Sequence, residues 1–417
     1  MSSFELLAPA GSPEKMKFAF AYGADACYMG MPDFSLRTRL NNFNFNSLKA
    51  SIDYAHSIGK KIYVTFNIFA HNQHLERFEE LRAEFSEFLN GPSRPDAVIV
   101  SDPGLMLAIH EVAPKMDIHV STQANTLNYK AVQFWEKNGA TRAILWREAS
   151  LDDIRDIRKH CPNIEIECFV HGAMCMAYSG RCFLSRYFVG ATASANLGAC
   201  SQPCRREYSY EGEQINEDGE KEVILMEDEH GSYFFNSHDL CCIEYIRELM
   251  EAGVTSFKVE WRTKSIFYVS MVMKAYREVM DSVTDGSYNP EEVAYWKNEL
   301  GKLMNRGYST GFMFGEAIAD PSLESHSNAP GDYRFVGEYT YDGQVFVHNK
   351  ICVGDILEVV PVHGRNRALT VKKIIKNDEE LSEFSAGNSE SYVTLIFEGG
   401  ESFEPMTVIV KKYKTEK

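Results

Sequence analysis

Cysteine is the residue type that most strongly suggests chemistry in this chain. Eight of the ten cysteines lie in one region, namely Cys161, Cys168, Cys175, Cys182, Cys200, Cys204, Cys241 and Cys242. Thiolates are soft ligands that favour zinc, copper or iron–sulfur clusters. In a chain expected to be cytoplasmic, cysteines are more often reduced thiols or metal ligands than disulfides. The composition therefore predicts a metal site, with buried structural thiols as the alternative.

The spacing of these cysteines restricts the kind of metal site. The intervals between successive members of the set Cys175, Cys182, Cys200 and Cys241 are six, seventeen and forty residues. A zinc ribbon needs paired Cys-x-x-Cys motifs, and a ferredoxin needs a compact run of cysteines. The spacing matches neither of these two classes.

Charged and polar side chains near the predicted strand ends suggest a binding site for a small dicarboxylate. The basic candidates are Arg147, Lys258 and Arg262. Arginine can hydrogen-bond both oxygens of a carboxylate at once. The alternative is a set of ion pairs at the rim of the fold, with Glu148 and Glu260 as partners. Gln123, in the polar run 121–125, could contact a base edge or a hydroxyl group, or this run could cap the next helix.

A second group of basic residues lies near the C-terminus. Its members are Arg365, Arg367, Lys372 and Lys373. Alternating lysines on a small β-barrel can position phosphates of RNA. The alternative is a solvated surface, because Asp378, Glu379 and Glu380 follow closely. The formal net charge of −16 opposes non-specific adhesion to nucleic acid but does not exclude such a local basic site.

The elements that must position these residues alternate between short β-rich runs and longer amphipathic runs, as in parallel strands joined by helices. Eight strands are predicted, starting at Phe4, Ala24, Lys61, Ala97, Asp117, Arg142, Ile164 and Ser256. The helices predicted between and after them include 74–89, 103–112, 151–160 and 240–252. Eight such units favour an α/β fold of the (β/α)8 barrel type over an open doubly wound sheet. The cysteine-rich region is then an insertion after the seventh strand, at the end where barrel active sites are built.

Three parts are expected along the chain. Residues 1–284 form the barrel, with the cysteine cluster at 172–241, and residues 285–330 form a helical linker. Residues 331–417, where the hydrophobic periodicity changes to two, form a small antiparallel β-barrel. The sequence contains no apolar run of the ~18 residues that a membrane span needs. Its first residues lack the features of a signal peptide, so the expected location is the cytoplasm.

Several motifs resemble the collagenase-like peptidase family of unknown catalytic type. In residues 167–185, a glutamate, a His-Gly pair and two cysteines flanking Ser-Gly-Arg occur in the order typical of that family. Further runs that are similar to the family lie at 7–11, 23–25, 199–205, 236–241, 258–262 and 306–312. Their order along the chain implies a barrel fold, in agreement with the strand count.

The resemblance also implies a function. Besides the peptidases that gave the family its name, it contains oxygen-independent hydroxylases that hold a 4Fe-4S cluster. A barrel followed by one small β-domain is similar to the branch that hydroxylates uridine 34 of tRNA to 5-hydroxyuridine, with prephenate as the implied co-substrate. The implied cluster ligands are Cys175, Cys182, Cys200 and Cys241, with Cys204 or Cys242 as an alternative fourth ligand. The implied partners are the tRNA anticodon loop and an electron-transfer partner or a second family member.

Two other functions compete with this interpretation, namely a collagenase-like peptidase and a non-catalytic, zinc-stabilised RNA-binding protein. The pair His110-Glu111 lacks the second histidine of a zinc-peptidase helix. His171 and Cys175 could act as a base and a nucleophile, but clustered thiolates suit a metal better. Glu167 and His171 are the predicted catalytic residues, and we expect His171 to orient the cluster or the substrate. The alternative for His171 is a structural role.

Overall fold

The computed structural model of the protein describes most of the chain. The described residues are 4–36, 43–174, 182–189, 195, 200–201, 238–260, 265–315, 333–386 and 391–413, with four two-residue strands between 214 and 232. Three of the predicted site residues, Cys175, Cys204 and Arg262, lie outside these ranges. No helix among the described residues combines the length and apolar composition needed to cross a membrane.

Eight parallel strands form a closed barrel. The strands of this part of the chain are β1 (Glu5–Pro9), β2 (Ala26–Gly30), β3 (Lys61–Phe66), β4 (Ala97–Val100), β5 (Asp117–Val120), β6 (Ala140–Ile144), β7 (Glu165–Ala173), β8 (Asp239–Cys241) and β9 (Ser256–Val259). Eight of these nine strands, all except β8, pair with one another in parallel. β9 pairs with both β7 and β1, which closes the barrel. The predicted barrel fold is therefore confirmed.

Helices follow the barrel strands and cover the outside of the barrel. They are α1 (Pro13–Ala21), α2 (Phe45–Ser57), α3 (Asn72–Glu80), α4 (Arg82–Asn90), α5 (Pro103–Val112), α6 (Tyr129–Lys137), α7 (Leu151–His160), α8 (Leu184–Val189), α9 (Ile246–Glu251), α10 (Ile266–Asp285) and α11 (Pro290–Gly301). Side-chain caps fix where several of them begin. Ser12, Asp102 and Ser150 each accept a hydrogen bond from the backbone amide three residues later.

Two predicted helices are wrong in their bounds. The predicted helix 74–89 is two helices, α3 and α4, because the backbone of Leu81 leaves the helical conformation between them. The predicted helix 240–252 begins only at Ile246, after a 3-10 turn. Its first residues form β8 instead, because their backbone pairs antiparallel with the end of β7.

Residues 285–330, predicted as a helical linker, contribute both to the outside of the barrel and to its sheet. The helix α11 packs beside α10, and Trp296 and Leu300 on α11 are buried. A short strand, β10 (Tyr308–Ser309), then pairs in parallel with β8. The residues after Gly315 in this range lie outside the described part of the chain.

The C-terminal domain is a small antiparallel β-barrel, as predicted. Its strands are β11 (Tyr333–Tyr339), β12 (Val345–Val347), β13 (Ile351–Cys352), β14 (Ile356–Val360), β15 (Arg367–Lys376), β16 (Glu379–Leu381), β17 (Glu383–Phe384), β18 (Tyr392–Phe397) and β19 (Val408–Lys412). Pairing between β14 and β15 closes a ring of six strands. A separate apolar core, which includes Val336, Ile374 and Phe397, fills this barrel.

Candidate functional site

A cavity lies at the C-terminal ends of the large barrel's strands. Its volume is about 90 Å³, and its polar lining includes Asn67, Ser121, Thr122, Gln123, Arg147, Lys258 and Glu260. These residues come from segments far apart in sequence, but the carboxyl ends of parallel strands meet at one end of a barrel. Three of the predicted substrate-binding residues, Gln123, Arg147 and Lys258, therefore lie together. We call this space the upper cavity.

The two basic side chains of the upper cavity are both ion-paired. Arg147 pairs with Glu260, and its guanidinium lies 4.0 Å from the centroid of the Phe169 ring. Lys258 Nζ lies 2.6 Å from Glu167 Oε1 and 4.4 Å from the centroid of the Tyr28 ring. An anionic ligand in the upper cavity would therefore share these cations with protein carboxylates.

Glu148 is the other carboxylate that was considered as a partner for Arg147, and its environment differs from that of Glu260. Burial raises the pKa of Glu148 to about 7. Its Oε2 atom is buried and has no hydrogen-bond partner within the described ranges. Of the two glutamates, Glu260 is the one that pairs with Arg147.

Glu167 lies beneath the upper cavity and does not line it. Its side chain is completely buried, and its two oxygens contact Lys258 at 2.6 Å and Arg142 at 2.9 Å. Arg142 continues the contacts to Glu5 at 2.6 Å. The ion pairs thus form a chain through the interior of the barrel. In this position Glu167 can orient Lys258. The residues that line the upper cavity can contact a ligand directly.

Arg142 and Glu5 are functional-site neighbours that the sequence analysis missed. Burial would raise the pKa of Glu5, but the guanidinium of Arg142 lowers it below its ordinary value. Both residues are charged members of otherwise apolar strands, which was the available signal. Strand alternation alone does not tell which face of a strand points into a barrel.

Gln123 follows β5 in a short 3-10 turn, Thr122–Ala124. The Ser121 hydroxyl caps this turn by accepting a hydrogen bond from the Gln123 amide at 3.3 Å. The Oε1 atom of Gln123 is buried without a hydrogen-bond partner among the residues that the structure describes. Gln123 thus presents an unused acceptor at the wall of the upper cavity, which a ligand donor could satisfy.

His171, near the end of β7, is enclosed by three tyrosines. The ring centroids of Tyr268, Tyr276 and Tyr308 lie 5.8, 5.5 and 5.4 Å from that of His171. The Tyr276 hydroxyl lies 3.4 Å from Nδ1 of His171, and it donates to the Val170 carbonyl at 2.7 Å. Only 1% of His171 is exposed. The tyrosines therefore fix the orientation of the imidazole.

Gly172, the second residue of the His-Gly pair, allows the end of β7 to approach Glu260. Its φ is +114°, a conformation that glycine adopts more readily than other residues. A Cβ atom on Gly172 would also lie 2.1 Å from the Glu260 carbonyl oxygen. The Glu260 amide donates to the His171 carbonyl at 2.8 Å. This hydrogen bond links the segment that carries His171 to Glu260, the partner of Arg147.

Cys241 is the predicted cluster ligand that the structure places best. It lies at the end of β8, directly opposite His171 in the antiparallel pairing with β7. Its Sγ lies 3.8 Å from the Tyr276 hydroxyl oxygen, and burial raises the pKa of the thiol. Cys242, the duplicate, is completely buried.

The other predicted ligands are only partly described. Cys182 and Cys200 are half-buried thiols, and Cys200 Sγ lies 3.6 Å from the Ser185 hydroxyl on α8. Cys175 and Cys204 lie outside the described ranges. Within those ranges, no group of three or more His, Cys, Asp or Glu side chains is arranged to hold a metal ion. The ligand set therefore stays a prediction.

Two motifs distant in sequence meet beside Cys241. Asp239 on β8 pairs with Arg306, and its amide donates to the Gly307 carbonyl at 2.9 Å. Gly307 has a φ of +79°, and a Cβ there would lie 2.6 Å from His238 Nδ1. The described residues of these motifs, 238–241 and 306–312, thus form one support for the cysteine at the barrel rim.

The predicted RNA-binding residues on the C-terminal domain fall into two groups. Arg365 pairs with Glu292 on α11, and its guanidinium lies 4.8 Å from the Tyr295 ring centroid, so it contributes to the contact with the large barrel. Lys373 pairs with Glu380 at 2.7 Å. Arg367 and Lys372 are exposed and form no ion pair with the described residues. These last two are the most available for phosphate.

Comparison with known proteins connects this geometry to a family. Residues 11–321 match the family model described as peptidase family U32. The chain is 37% identical over 431 residues to tRNA hydroxylation protein P of Haemophilus influenzae, covering 92% of this chain and 91% of the relative. It is 39% identical to tRNA hydroxylation protein P of Escherichia coli, with 86% of each chain covered.

A relative with a different name matches over nearly the same extent. The collagenase of Porphyromonas gingivalis is 30% identical over 349 residues, covering 81% of this chain and 80% of the relative. The two kinds of name agree with the resemblance seen in the sequence motifs. The family match over residues 11–321 and these identities show that the chain belongs to peptidase family U32.

Proposed function

We propose that this protein is an iron–sulfur tRNA-modifying enzyme. Its reaction is the oxygen-independent, prephenate-dependent hydroxylation of wobble uridine 34 to 5-hydroxyuridine. The observation that carries the proposal is the convergence of the upper cavity, His171 and Cys241 at the C-terminal end of the barrel, where enzymes of this fold hold their active sites. The names of the relatives with 37% and 39% identity support tRNA as the substrate.

In this proposal a 4Fe-4S cluster is bound by Cys175, Cys182, Cys200 and Cys241, with Cys204 as the alternative ligand. The described donors suit such a group, since all three are cysteines and thiolates are the usual ligands of iron–sulfur clusters. When bound, the cluster supplies electron transfer. His171 lies against Cys241 in a fixed orientation and would position this side of the site.

Prephenate fits the upper cavity by its charge. Its carboxylates would contact Arg147 and Lys258, and Gln123 Oε1 would accept a hydrogen bond from its hydroxyl group. Arg262, outside the described ranges, is the third basic candidate. A cavity of about 90 Å³ holds only a small group, so the ligand would extend from it toward the cysteine-bearing segment. Glu167 would act here by holding Lys258 in place.

The RNA partner in this proposal is the anticodon loop. A uridine in a single-stranded loop can enter a pocket without the cost of opening a duplex. Arg367 and Lys372, with Lys373, would contact the phosphates, whereas Arg365 would mainly hold the C-terminal domain on the barrel. The reaction also calls for an electron-transfer partner, either a separate carrier or a second family member.

The proposal is tested by anaerobic purification of the protein with assays of iron, sulfide and zinc. The same assays are made on Cys175→Ala, Cys182→Ala, Cys200→Ala, Cys204→Ala and Cys241→Ala. We expect about four irons and four sulfides per chain, as in a 4Fe-4S cluster, lost in four variants and retained in one. Nucleoside mass spectrometry of tRNA from cells expressing each variant should show 5-hydroxyuridine lost in the same four.

Two other results would contradict the proposal. Zinc without sulfide, with unchanged tRNA nucleosides, would support a zinc-stabilised RNA-binding protein. The collagenase relative motivates the second control, in which the purified protein is incubated with denatured collagen. Cleavage that persists in all five cysteine variants, with no effect of the protein on tRNA, would instead support a peptidase.

A further inference from the structure

A second, larger cavity lies at the opposite end of the large barrel, where the strands begin. Its volume is about 720 Å³, which is within the range of small-molecule sites. Lys61 and Asp117, the first residues of β3 and β5, line it. Arg94 and Lys115, from the loops before β4 and β5, line it as well. We call this space the lower pocket. Its wall is polar, unlike the mostly apolar wall of a typical pocket for a neutral ligand.

The charges of the lower pocket favour an anion. Arg142, also in its lining, pairs with Glu5 and Glu167 in the barrel interior and with Glu165, a half-exposed residue of the same lining. Lys61, Arg94 and Lys115, in contrast, form no ion pair with any residue in the described part of the chain. Asp96 and Asp117 are the acidic lining residues that oppose these three cations. The uncompensated charge of the lining is therefore positive.

Of these two carboxylates, Asp96 is held in place by other groups of the protein. Its Oδ2 atom accepts a hydrogen bond from the Ile62 amide at 2.7 Å and lies 3.1 Å from His56 Nε2. This carboxylate is thus occupied in fixing the start of β3.

A buried histidine at the floor of the lower pocket supplies a second, independent observation. Only 4% of His119 is exposed, and its ring lies edge-on to Tyr63 with 4.6 Å between the centroids. Its Nδ1 atom is buried with no hydrogen-bond partner among the described residues. An unpaired buried polar atom destabilises the folded protein, and a ligand atom bonded to it would remove that cost.

We propose that the lower pocket is a binding site for a small polyanion carrying two or more carboxylate or phosphate groups. The cations at its entrance would hold the charged groups, and His119 Nδ1 would contact the end that reaches the floor. The depth at which His119 and Arg142 lie, with 4% and 3% exposure, suits a small molecule. The site is separate from the upper cavity and does not depend on the proposed function.

Isothermal titration calorimetry of the full-length protein tests this site, with citrate and inorganic phosphate as probes. The Arg94→Ala/Lys115→Ala variant removes two exposed cations from the entrance, and His119→Phe removes the floor contact. Arg147→Lys is the matched control at the upper cavity. We expect the Kd of at least one probe to rise tenfold or more in the first two variants and to stay within twofold in the control.

The choice of probe distinguishes the two kinds of anion, since binding of citrate alone indicates a carboxylate ligand and binding of phosphate alone a phosphorylated one. Absence of binding of both probes at millimolar concentration would overturn the proposal. It would also be overturned if only Arg147→Lys weakened binding. A third contrary result is a loss of tRNA binding in Arg94→Ala/Lys115→Ala without any effect on the probes, which would assign these cations to RNA.

Discussion

At the scale of single residues, the sequence predicted the members of the upper cavity better than the contacts beneath it. Gln123, Arg147 and Lys258 could be grouped because each follows or ends a predicted strand. The chain Glu5–Arg142–Glu167–Lys258 could not, because it joins strands from both ends of the barrel sequence. Such contacts exist only once β9 has paired with β1 and β7.

The ion-pair chain gives a prediction for stability. Glu167→Gln leaves Lys258 buried without its carboxylate, so we expect the free energy of unfolding to fall by about 3–5 kcal/mol. Glu165→Gln is the matched control, since Glu165 lies on the same strand and contacts the same Arg142 but is 52% exposed. Its loss should cost less than about 1 kcal/mol. Urea unfolding followed by circular dichroism measures both.

Equal effects of the two substitutions would contradict this account, because burial would then not decide the strength of the pairs. The same variants bear on the prediction that Glu167 is catalytic. If Glu167 acts by holding Lys258, the KM for prephenate should rise in Glu167→Gln under conditions where the variant is fully folded. A lower kcat with an unchanged KM would instead indicate a direct part in the reaction.

At the scale of elements, strands with their own hydrophobic pattern were predicted well, and elements stabilised by distant partners were not. The strands predicted to start at Lys61 and Ser256 begin at those residues in the structure. Two of the three residues of β8, Leu240 and Cys241, were assigned to a helix, because nothing local distinguishes them from the helical run that follows. They form a strand because β7 and β10 provide their hydrogen bonds on either side.

The strand β15 gives a prediction for RNA binding. Arg367→Ala and Lys372→Ala each remove an exposed cation that has no ion-pair partner in the described chain. Each should weaken the binding of an anticodon stem-loop. Each should also lower the steepness of the plot of log binding constant against log salt concentration by about one. Arg365→Ala is the control, because its guanidinium is engaged by Glu292 and Tyr295. Fluorescence anisotropy at several salt concentrations measures the affinities. Greater weakening by Arg365→Ala would show that RNA contacts the edge next to α11 instead.

At the scale of the whole molecule, buried polar contacts join the small β-barrel to the large one. The hydroxyl of Tyr22, directly after α1, donates to the Val360 carbonyl at 2.6 Å and accepts from the Val408 amide at 3.0 Å. Lys274 on α10 donates to the Pro361 carbonyl at 2.6 Å and to Asn366 Oδ1 at 3.2 Å. The partners in these contacts are 87 to 386 positions apart in the sequence, so no local pattern could predict them.

Lys274 makes the contact between the two barrels sensitive to pH. Burial lowers the pKa of Lys274 to about 8 in the folded protein, below the value of ~10.4 expected in the unfolded chain. Between these two values the unfolded state binds more protons, so stability rises with pH across that window. Below pH 8 the ammonium is charged in both states, and the full cost of burying it remains.

We therefore expect the stability of the wild type relative to Lys274→Met to increase by about 2 kcal/mol between pH 7.5 and pH 10. The comparison between variants is needed because other groups also titrate in this range. Lys297→Met on α11 is the control, since Lys297 is 45% exposed and its replacement should leave the pH dependence of the wild type unchanged. Urea unfolding midpoints at both pH values measure the difference. Parallel pH profiles for the wild type and Lys274→Met would contradict this prediction. They would mean that water reaches the Lys274 ammonium between the two barrels, and that the apolar contacts and Tyr22 hold the barrels together instead.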